Sequence, residues 1–319
     1  MILKITIDCE RVSSTQATAL CRGWYPANCN KWGISISFFQ TAQRAVAGVS
    51  TGHFRKFRIV NKLLFINNQL IKMKKSIVFL YGVTAYLIFL ISFLYAIGFL
   101  GNFIVPKTIN SGTAATFTHA LLVNVFLLSL FAVQHSVMAR PAFKKWFTRI
   151  INPAIERSTY VLLSSLVLLL VYWQWQPLPS VIWQVQNTAA VIILKVLYFF
   201  GWLVVLFSSF LINHFELFGL KQVFENFKNR PREQQSTTLT TNFFYNLVRH
   251  PLMLGFLIAF WATPLMTVGH LLFSITTTLY IFIAVKFLEE KDLLKIHGEE
   301  YKAYQKRVPM IIPFTGKAN

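Results

Sequence analysis

The sequence predicts an all-α polytopic membrane protein with five to six transmembrane helices and a cytoplasmic C-terminal helical tail. Three observations carry this expectation. The 319-residue chain is 55% hydrophobic with only 13% charged residues, and its mean hydropathy of +0.52 does not describe an ordinary soluble domain. Its apolar residues gather in runs close to the ~20 that a helical crossing needs. Its basic residues fall in every second loop between those runs, which is the positive-inside pattern. The net charge of +20 therefore reads as membrane orientation. No basic face survives outside the spans, so nucleic-acid binding is excluded.

Residues 1–72 differ from the rest. They contain no long apolar run and carry ten Lys/Arg against two acids. They also lack the charged-then-apolar order of a signal peptide. All three cysteines, Cys9, Cys21 and Cys29, lie here, at spacings that fit neither a zinc site nor a paired disulfide framework. The segment reads either as an upstream extension that need not be translated or as a basic cytoplasmic tail. The character changes at Met73, so the domain proper is expected over 73–319.

The first span is expected at Ile77–Phe103 and the second at Phe117–Met138. The third, Thr159–Trp175, is bounded by the Gln176-Pro177-Leu178-Pro179 turn. The fourth is Val191–Ile212. Leu252–Met266 is short and contains Pro264, so it is expected to be short or broken. Val268–Val285 completes the set, joined to it by a hairpin through Thr267-Val268-Gly269. Lys72, Lys74 and Lys75 precede the first span. Arg140, Lys144, Lys145, Arg149 and Arg157 fill the second–third loop, and Lys221, Lys228, Arg230 and Arg232 follow the fourth. The intervening loops hold Lys107 alone and no charge at all. Both ends should then face the cytoplasm.

Three polar clusters fall at that same face. One is Arg249-His250-Pro251, followed by a tail in which five of the chain's eleven acidic residues lie between Glu289 and Glu300. The second is Asn213-His214-Phe215-Glu216, after the fourth span. The third is Gln134-His135-Ser136, at the end of the second. Each has an ordinary reading when taken singly. Pro251 suits a first helical position, Glu289-Glu290-Lys291-Asp292 a solvated helix face, Tyr301 and Tyr304 side-chain packing, and the Gln134–Ser136 cluster helix–helix hydrogen bonding. Together they put ionisable groups at one membrane face, where such groups usually line a cavity or bind something. His53, His119, His270 and His297 do not share the placement, and no ligand set resembles a metal site.

The order of Arg-His-Pro, a downstream Glu pair and Tyr-x-x-Tyr-x-x-x-Val-Pro resembles the C-terminal module of the integral-membrane methyltransferases related to isoprenylcysteine carboxyl methyltransferase. Longer segments, FLYAIGFLGNFIVPKTINSG, QHSVMARPAFKKWFTR, INHFELFGLKQVF and RHPLMLGFLIAFWATPLMTVGHL, are similar to the bacterial methanethiol S-methyltransferases within that superfamily. The resemblance covers about Met73 to Thr315. It implies an inner-membrane enzyme that methylates a small thiol, methanethiol, with S-adenosylmethionine as co-substrate and with no metal and no obligate protein partner. One departure is Met253, where relatives often carry Tyr.

Methyl transfer from a sulfonium needs the reactants held in line more than it needs further activation. The resemblance places Arg249, His250 and Glu289 in the donor pocket, with Glu290 and Tyr301 beside them. Arg249 offers a planar fork to a carboxylate. Glu289 or Glu290 can accept from the donor's ammonium or ribose. Tyr245, Phe256 or Trp261 can face its sulfonium. A free thiol ionises around pH 8.5, so a base is needed, and His214, oriented by Glu216, is the candidate. Two rivals stay open: a larger prenylated-cysteine or lipid acceptor, and a non-catalytic membrane protein or transporter of the same fold. A chain beginning at Met73 is expected to insert and keep full methylating activity. An inserted but inactive shortened chain would assign residues 1–72 to the enzyme.

Overall fold

The computed structural model describes residues 53–113, 115–230 and 239–315, with side chains from residue 62 onward. The chain forms two compact units, Met1–Ile71 and Lys72–Asn319. The expectations for the three cysteines, for residues 1–52 and for Arg232 lie outside the described residues.

The elements follow the hydropathy closely. Helix α1 runs His53–Gly101 and α2 Phe117–Ala139. A short α3, Pro141–Phe147, leads to α4, Glu156–Gln174. Strand β1, Val181–Gln184, precedes α5, Thr188–Ile212. One turn, α6 (His214–Leu217), and the amphipathic α7 (Leu220–Phe227) follow. Then come α8, Pro251–Trp261, strand β2, Leu265–Thr267, and α9, Val268–Ala284. A π turn, Val285–Glu289, joins α9 to α10, Glu290–His297, and α11, Glu299–Arg307, ends the described helices. Among the described residues, five helices are long and apolar enough to cross a membrane. The protein is thus an all-helical, multi-pass membrane protein.

Three details differ from expectation. Helix α1 begins at His53 rather than Ile77, because residues 53–81 contain neither Gly nor Pro to stop it. The α8–α9 connection is not a tight turn at Thr267-Val268-Gly269. The chain leaves α8 at Ala262 and runs extended through Leu265–Thr267, which pairs antiparallel with Val181–Gln184. The last span does not stop at Val285. It continues through the π turn to His297, 30 residues in all. At 1.5 Å per residue that is roughly 45 Å, more than a ~30 Å hydrocarbon core. Glu289 therefore emerges at about one edge of the apolar layer.

The buried core is largely aromatic. Trp175 is fully buried; it donates to the Ile109 carbonyl at 3.1 Å and packs edge-on to Phe99 and Phe273. Outside it the helices present large apolar side chains such as Phe126, Ile193 and Phe207 outward, as a lipid-facing surface requires. The most extensive helix pair is α5 with α8, and two glycines set it. A Cβ on Gly201 would lie 2.6 Å from the Ala259 nitrogen, and one on Gly255 2.7 Å from the Gly201 carbonyl oxygen. Small residues allow this backbone-to-backbone approach, on which membrane helix pairs rely. Gly201 meets Ala259 while Val205 meets Gly255, so the helices run antiparallel. The end of α5 and the start of α8 consequently emerge at one face. Gly255→Leu is expected to cost about 1–3 kcal/mol by overpacking, read as a lowered thermal midpoint of the detergent-solubilised protein.

Candidate functional site

The site is built where α8 begins. Pro251 takes the first helical position, where its missing N–H costs nothing. The two residues before it are not helical, and they find partners in the C-terminal tail. Arg249 N–H donates to the Pro309 carbonyl at 2.9 Å and His250 N–H to that of Met310 at 3.0 Å. The tail can do this because Pro309 disfavours helix at the residue before it. Val308 is extended (φ −121°, ψ 129°), so α11 ends at Arg307 and the chain turns back along residues 249–250.

Onto this frame the sequence-predicted residues Arg249, His250, Glu289, Glu290 and Tyr301 converge. Glu290 is the hub. Its Oε1 accepts from Arg249 Nε at 2.7 Å and Tyr301 OH at 3.3 Å, and lies 3.4 Å from His250 Nε2. Its Oε2 accepts from Gln305 Nε2 at 3.2 Å. Arg249 Nη2 also pairs with Glu290, and Nη1 donates to the carbonyls of Gln305 and Val308. Every guanidinium nitrogen is therefore satisfied within the protein. Arg249 and Glu290 are largely buried, at 9% and 12% side-chain exposure. Glu289 is different. Its side chain is 45% exposed, and its one ion-pair contact among the described residues is His250 Nδ1 at 3.6 Å. Burial opposes a charge on His250, but the two flanking carboxylates outweigh it and push its pKa up to about 9. Below that pH the ring is an imidazolium and cannot act as a base.

Two aromatic residues complete the wall. Tyr304 OH donates to the Tyr245 carbonyl, which ties α11 to the segment before Arg249. The Tyr245 hydroxyl is buried with no hydrogen-bond partner among the described residues. Such groups are rare in folded proteins, and a bound ligand would satisfy it. Of the other proposed sulfonium partners, Phe256 packs edge-on to Trp202 at 5.9 Å in the core. Trp261 donates to Thr278 at the far end of α8. Neither shares the network. Met253 is half-buried against the core.

His214 follows α5 at the same face. Its Nε2 lies 2.9 Å from Tyr86 OH and its Nδ1 2.8 Å from Ser209 Oγ, with the Phe210 ring stacked at 4.4 Å. Burial lowers its pKa. Glu216 does not orient it, contrary to expectation. The left-handed Asn213 at the end of α5 turns the Glu216 carboxylate toward Asn213 Nδ2, 2.9 Å, and Lys221 Nζ, 3.2 Å. The ring is held instead by Ser209 and Tyr86. The third cluster reaches across helices: His135 lies 2.9 Å from Tyr160 OH, and Ser136 Oγ 3.0 Å from Tyr280 OH.

The histidine between the glutamates gives a pH signature. Its folded pKa of about 9 exceeds the ordinary 6.5 or so. The pairing therefore stabilises the fold fully below about pH 6.5 and is lost as pH rises through about 9. The thermal midpoint should fall across that window, and His250→Gln should flatten the fall.

Residues 196–300 match the phospholipid methyltransferase family, a stretch that runs from α5 into α11 and encloses Arg249, His250 and both glutamates. Over 242 residues the chain is 51% identical to the methanethiol S-methyltransferase of Mycobacterium tuberculosis, covering 76% of this chain and 98% of that protein. It is 51% identical over 240 residues to methanethiol S-methyltransferase 1 of Bradyrhizobium diazoefficiens, covering 75% and 83%. It is 51% identical over 245 residues to that of Crocosphaera subtropica, covering 77% and 95%. No solved structure matches the chain. A multi-pass helical fold, a polar network at one membrane face and similarity along nearly the whole length of these relatives lead to one conclusion: the chain is a membrane methyltransferase and belongs to the methanethiol S-methyltransferase family.

Proposed function

We propose that the protein transfers the methyl group of S-adenosylmethionine to methanethiol, forming dimethyl sulfide and S-adenosylhomocysteine. One observation carries the reading. The cluster of Arg249, His250, Glu289 and Glu290 lies inside the stretch that matches a methyltransferase family, and it leaves a half-exposed carboxylate within electrostatic reach of a buried hydroxyl that has no partner among the described residues. The basic loops support an inner-membrane location with this face toward the cytoplasm, where the methyl donor is available.

The residues suit the donor's chemistry. Glu289 has spare acceptor capacity for its ammonium or ribose hydroxyls, and the Tyr245 hydroxyl supplies a further polar contact. The faces of Tyr245 and Tyr301 suit a sulfonium. Arg249, expected from the sequence as a carboxylate clamp, has its fork engaged by Glu290 and two carbonyls. Its role in this reading is to hold Glu290, and through it His250, Tyr301 and Gln305, in place. A donor carboxylate would have to compete with Glu290 for it.

The thiol must lose its proton, because the thiolate is the nucleophile. His250 is already protonated at neutral pH, whereas His214, with its lowered pKa, is neutral and can accept. In this reading His214 takes the proton and releases it to solvent after turnover. The thiolate sulfur forms the new S–C bond as the donor's C–S bond breaks. The electron pair of that bond stays on the departing sulfur, which leaves as a neutral thioether.

The test is headspace gas analysis of cells expressing the gene and fed methanethiol, beside an empty-vector control, followed by purified protein. Dimethyl sulfide should appear only with the gene. Efficient turnover of a prenylated cysteine or a phospholipid, with none of methanethiol, would overturn the assignment. In the purified protein Arg249→Ala should weaken donor binding roughly tenfold or more, because it strands Glu290 as a buried unpaired carboxylate and frees the residues that Glu290 holds. Arg249→Lys should restore it only in part, because an ammonium cannot reproduce the fork.

A further inference from the structure

The seam between α2 and α9 holds groups that the donor network leaves unused. Along α2, Leu128, Ala132, Ser136 and Arg140 succeed one another four residues apart and so share one helix face. Between this row and α9 lies a small hollow of about 70 Å³, half open to the outside and lined by Leu128, Phe131, Ala132, Thr276, Thr277 and Tyr280. Its walls are mostly apolar, and Ser129 at its rim is exposed on the lipid-facing side. An apolar cavity of about 150 Å³ stays dry and takes a six-carbon ring. One of half that volume suits a molecule of two or three heavy atoms.

The inner end of the cavity is polar, in graded steps. Tyr280, one of its walls, meets Ser136 Oγ through its hydroxyl at 3.0 Å. Beyond that pair, Arg140 closes the seam against Asp292 at 2.9 Å. Phe131, another wall, stacks on His135 at 5.2 Å between ring centroids, and His135 in turn meets Tyr160 OH. Glu289, the exposed carboxylate of the donor network, lies within electrostatic reach of His135, Tyr160 and Tyr280. The apolar hollow therefore has a hydroxyl pair and an imidazole next to two of its walls, and Glu289 acts electrostatically on both.

We propose that the α2–α9 cavity is the acceptor pocket: a small thiol enters it laterally from the bilayer and is held with its sulfur toward the Ser136–Tyr280 hydroxyl pair. The proposal rests on the methanethiol reading but not on His214 as the base: it adds where the acceptor binds and what limits its size, and it makes His135 rather than His214 the imidazole nearest the thiol. A molecule of one carbon and one sulfur brings little binding energy of its own. A pocket that fits it closely, fed by a bilayer in which an apolar thiol concentrates, offsets that weakness. Leu128 and Phe131 then set the permitted chain length, and the hydroxyl pair sets the orientation of the sulfur.

The experiment uses the full-length protein in detergent, with methanethiol and ethanethiol as competing acceptors and both sulfides read by gas chromatography. Leu128→Ala lengthens the pocket and should raise the ethanethiol-to-methanethiol ratio of kcat/KM about fourfold, the value of one buried methylene. Ala132→Phe fills the space and should raise the KM for methanethiol tenfold or more, with donor affinity by calorimetry unchanged. Tyr280→Phe should raise that KM without altering the size preference. If Ala132→Phe does not fold, the Leu128→Ala ratio still decides, because it is internal to one preparation. A wild-type enzyme that converts methanethiol while Leu128→Ala keeps the wild-type ratio overturns the pocket and leaves the proposed function standing. A wild-type enzyme that converts neither thiol overturns both.

Discussion

The ion pair between Arg249 and Glu290 organises the face of the molecule at which α8 begins. A buried pair of this kind is a poor source of net stability, since both ions lose water. It fixes geometry instead. Glu290 stands on the continuation of the last span and Arg249 just before α8, and the remaining guanidinium donors end on carbonyls of the tail. Three segments that are far apart in sequence are thereby locked to one another. Loss of either ion would leave the other buried and uncompensated, so the three segments hold or separate together.

That lock works only because the helices beneath it bring its parts to one place. Gly201 and Gly255 let α5 and α8 touch backbone to backbone. This puts His214, at the end of one helix, at the same face as Arg249 and His250, at the start of the other. At the opposite end the β1–β2 pair sets the depth of the α8–α9 hairpin. With only 11 residues, α8 spans roughly 16 Å, about half the apolar layer. The extended residues that follow carry the chain the rest of the way, and their backbone groups are satisfied by β1 rather than left bare in lipid.

Much of this was legible in the chain, for physical reasons. Spans of about 20 apolar residues and alternating basic loops leave little freedom, so the four long helices before α8 appeared within a few residues, apart from the early start of α1. Arg-His-Pro and the Glu pair were visible because charged residues at the end of an apolar run demand partners. What could not be read was which partner each would take. The spacing of Glu216 and His214 suggested a pair, yet a left-handed Asn213 turned the carboxylate away. Gln305 gave no local signal, and the partners of Tyr245 and Tyr304 could not be read, because these contacts are with residues distant in the chain. The α2–α9 seam was hidden for the same reason: the Gln134–Ser136 cluster announced itself, but Tyr280 looked like any other aromatic residue on an apolar helix.

The π turn at Val285–Glu289 has a consequence for how such a chain can vary. A membrane tolerates a helix that is a few residues too long, because the surplus emerges into water or the helix tilts. It offers no such tolerance in phase. Each residue of an α-helix advances about 100° around the axis, so a single insertion or deletion near the turn leaves the span intact and swings another side chain toward His250. Length at this position is nearly neutral, whereas parity with the aromatic and hydroxyl groups above is not. Descendants of this fold can therefore change the five residues above Glu290 only by substitution, and the same holds below it as far as Tyr301 and Gln305, which bond to Glu290.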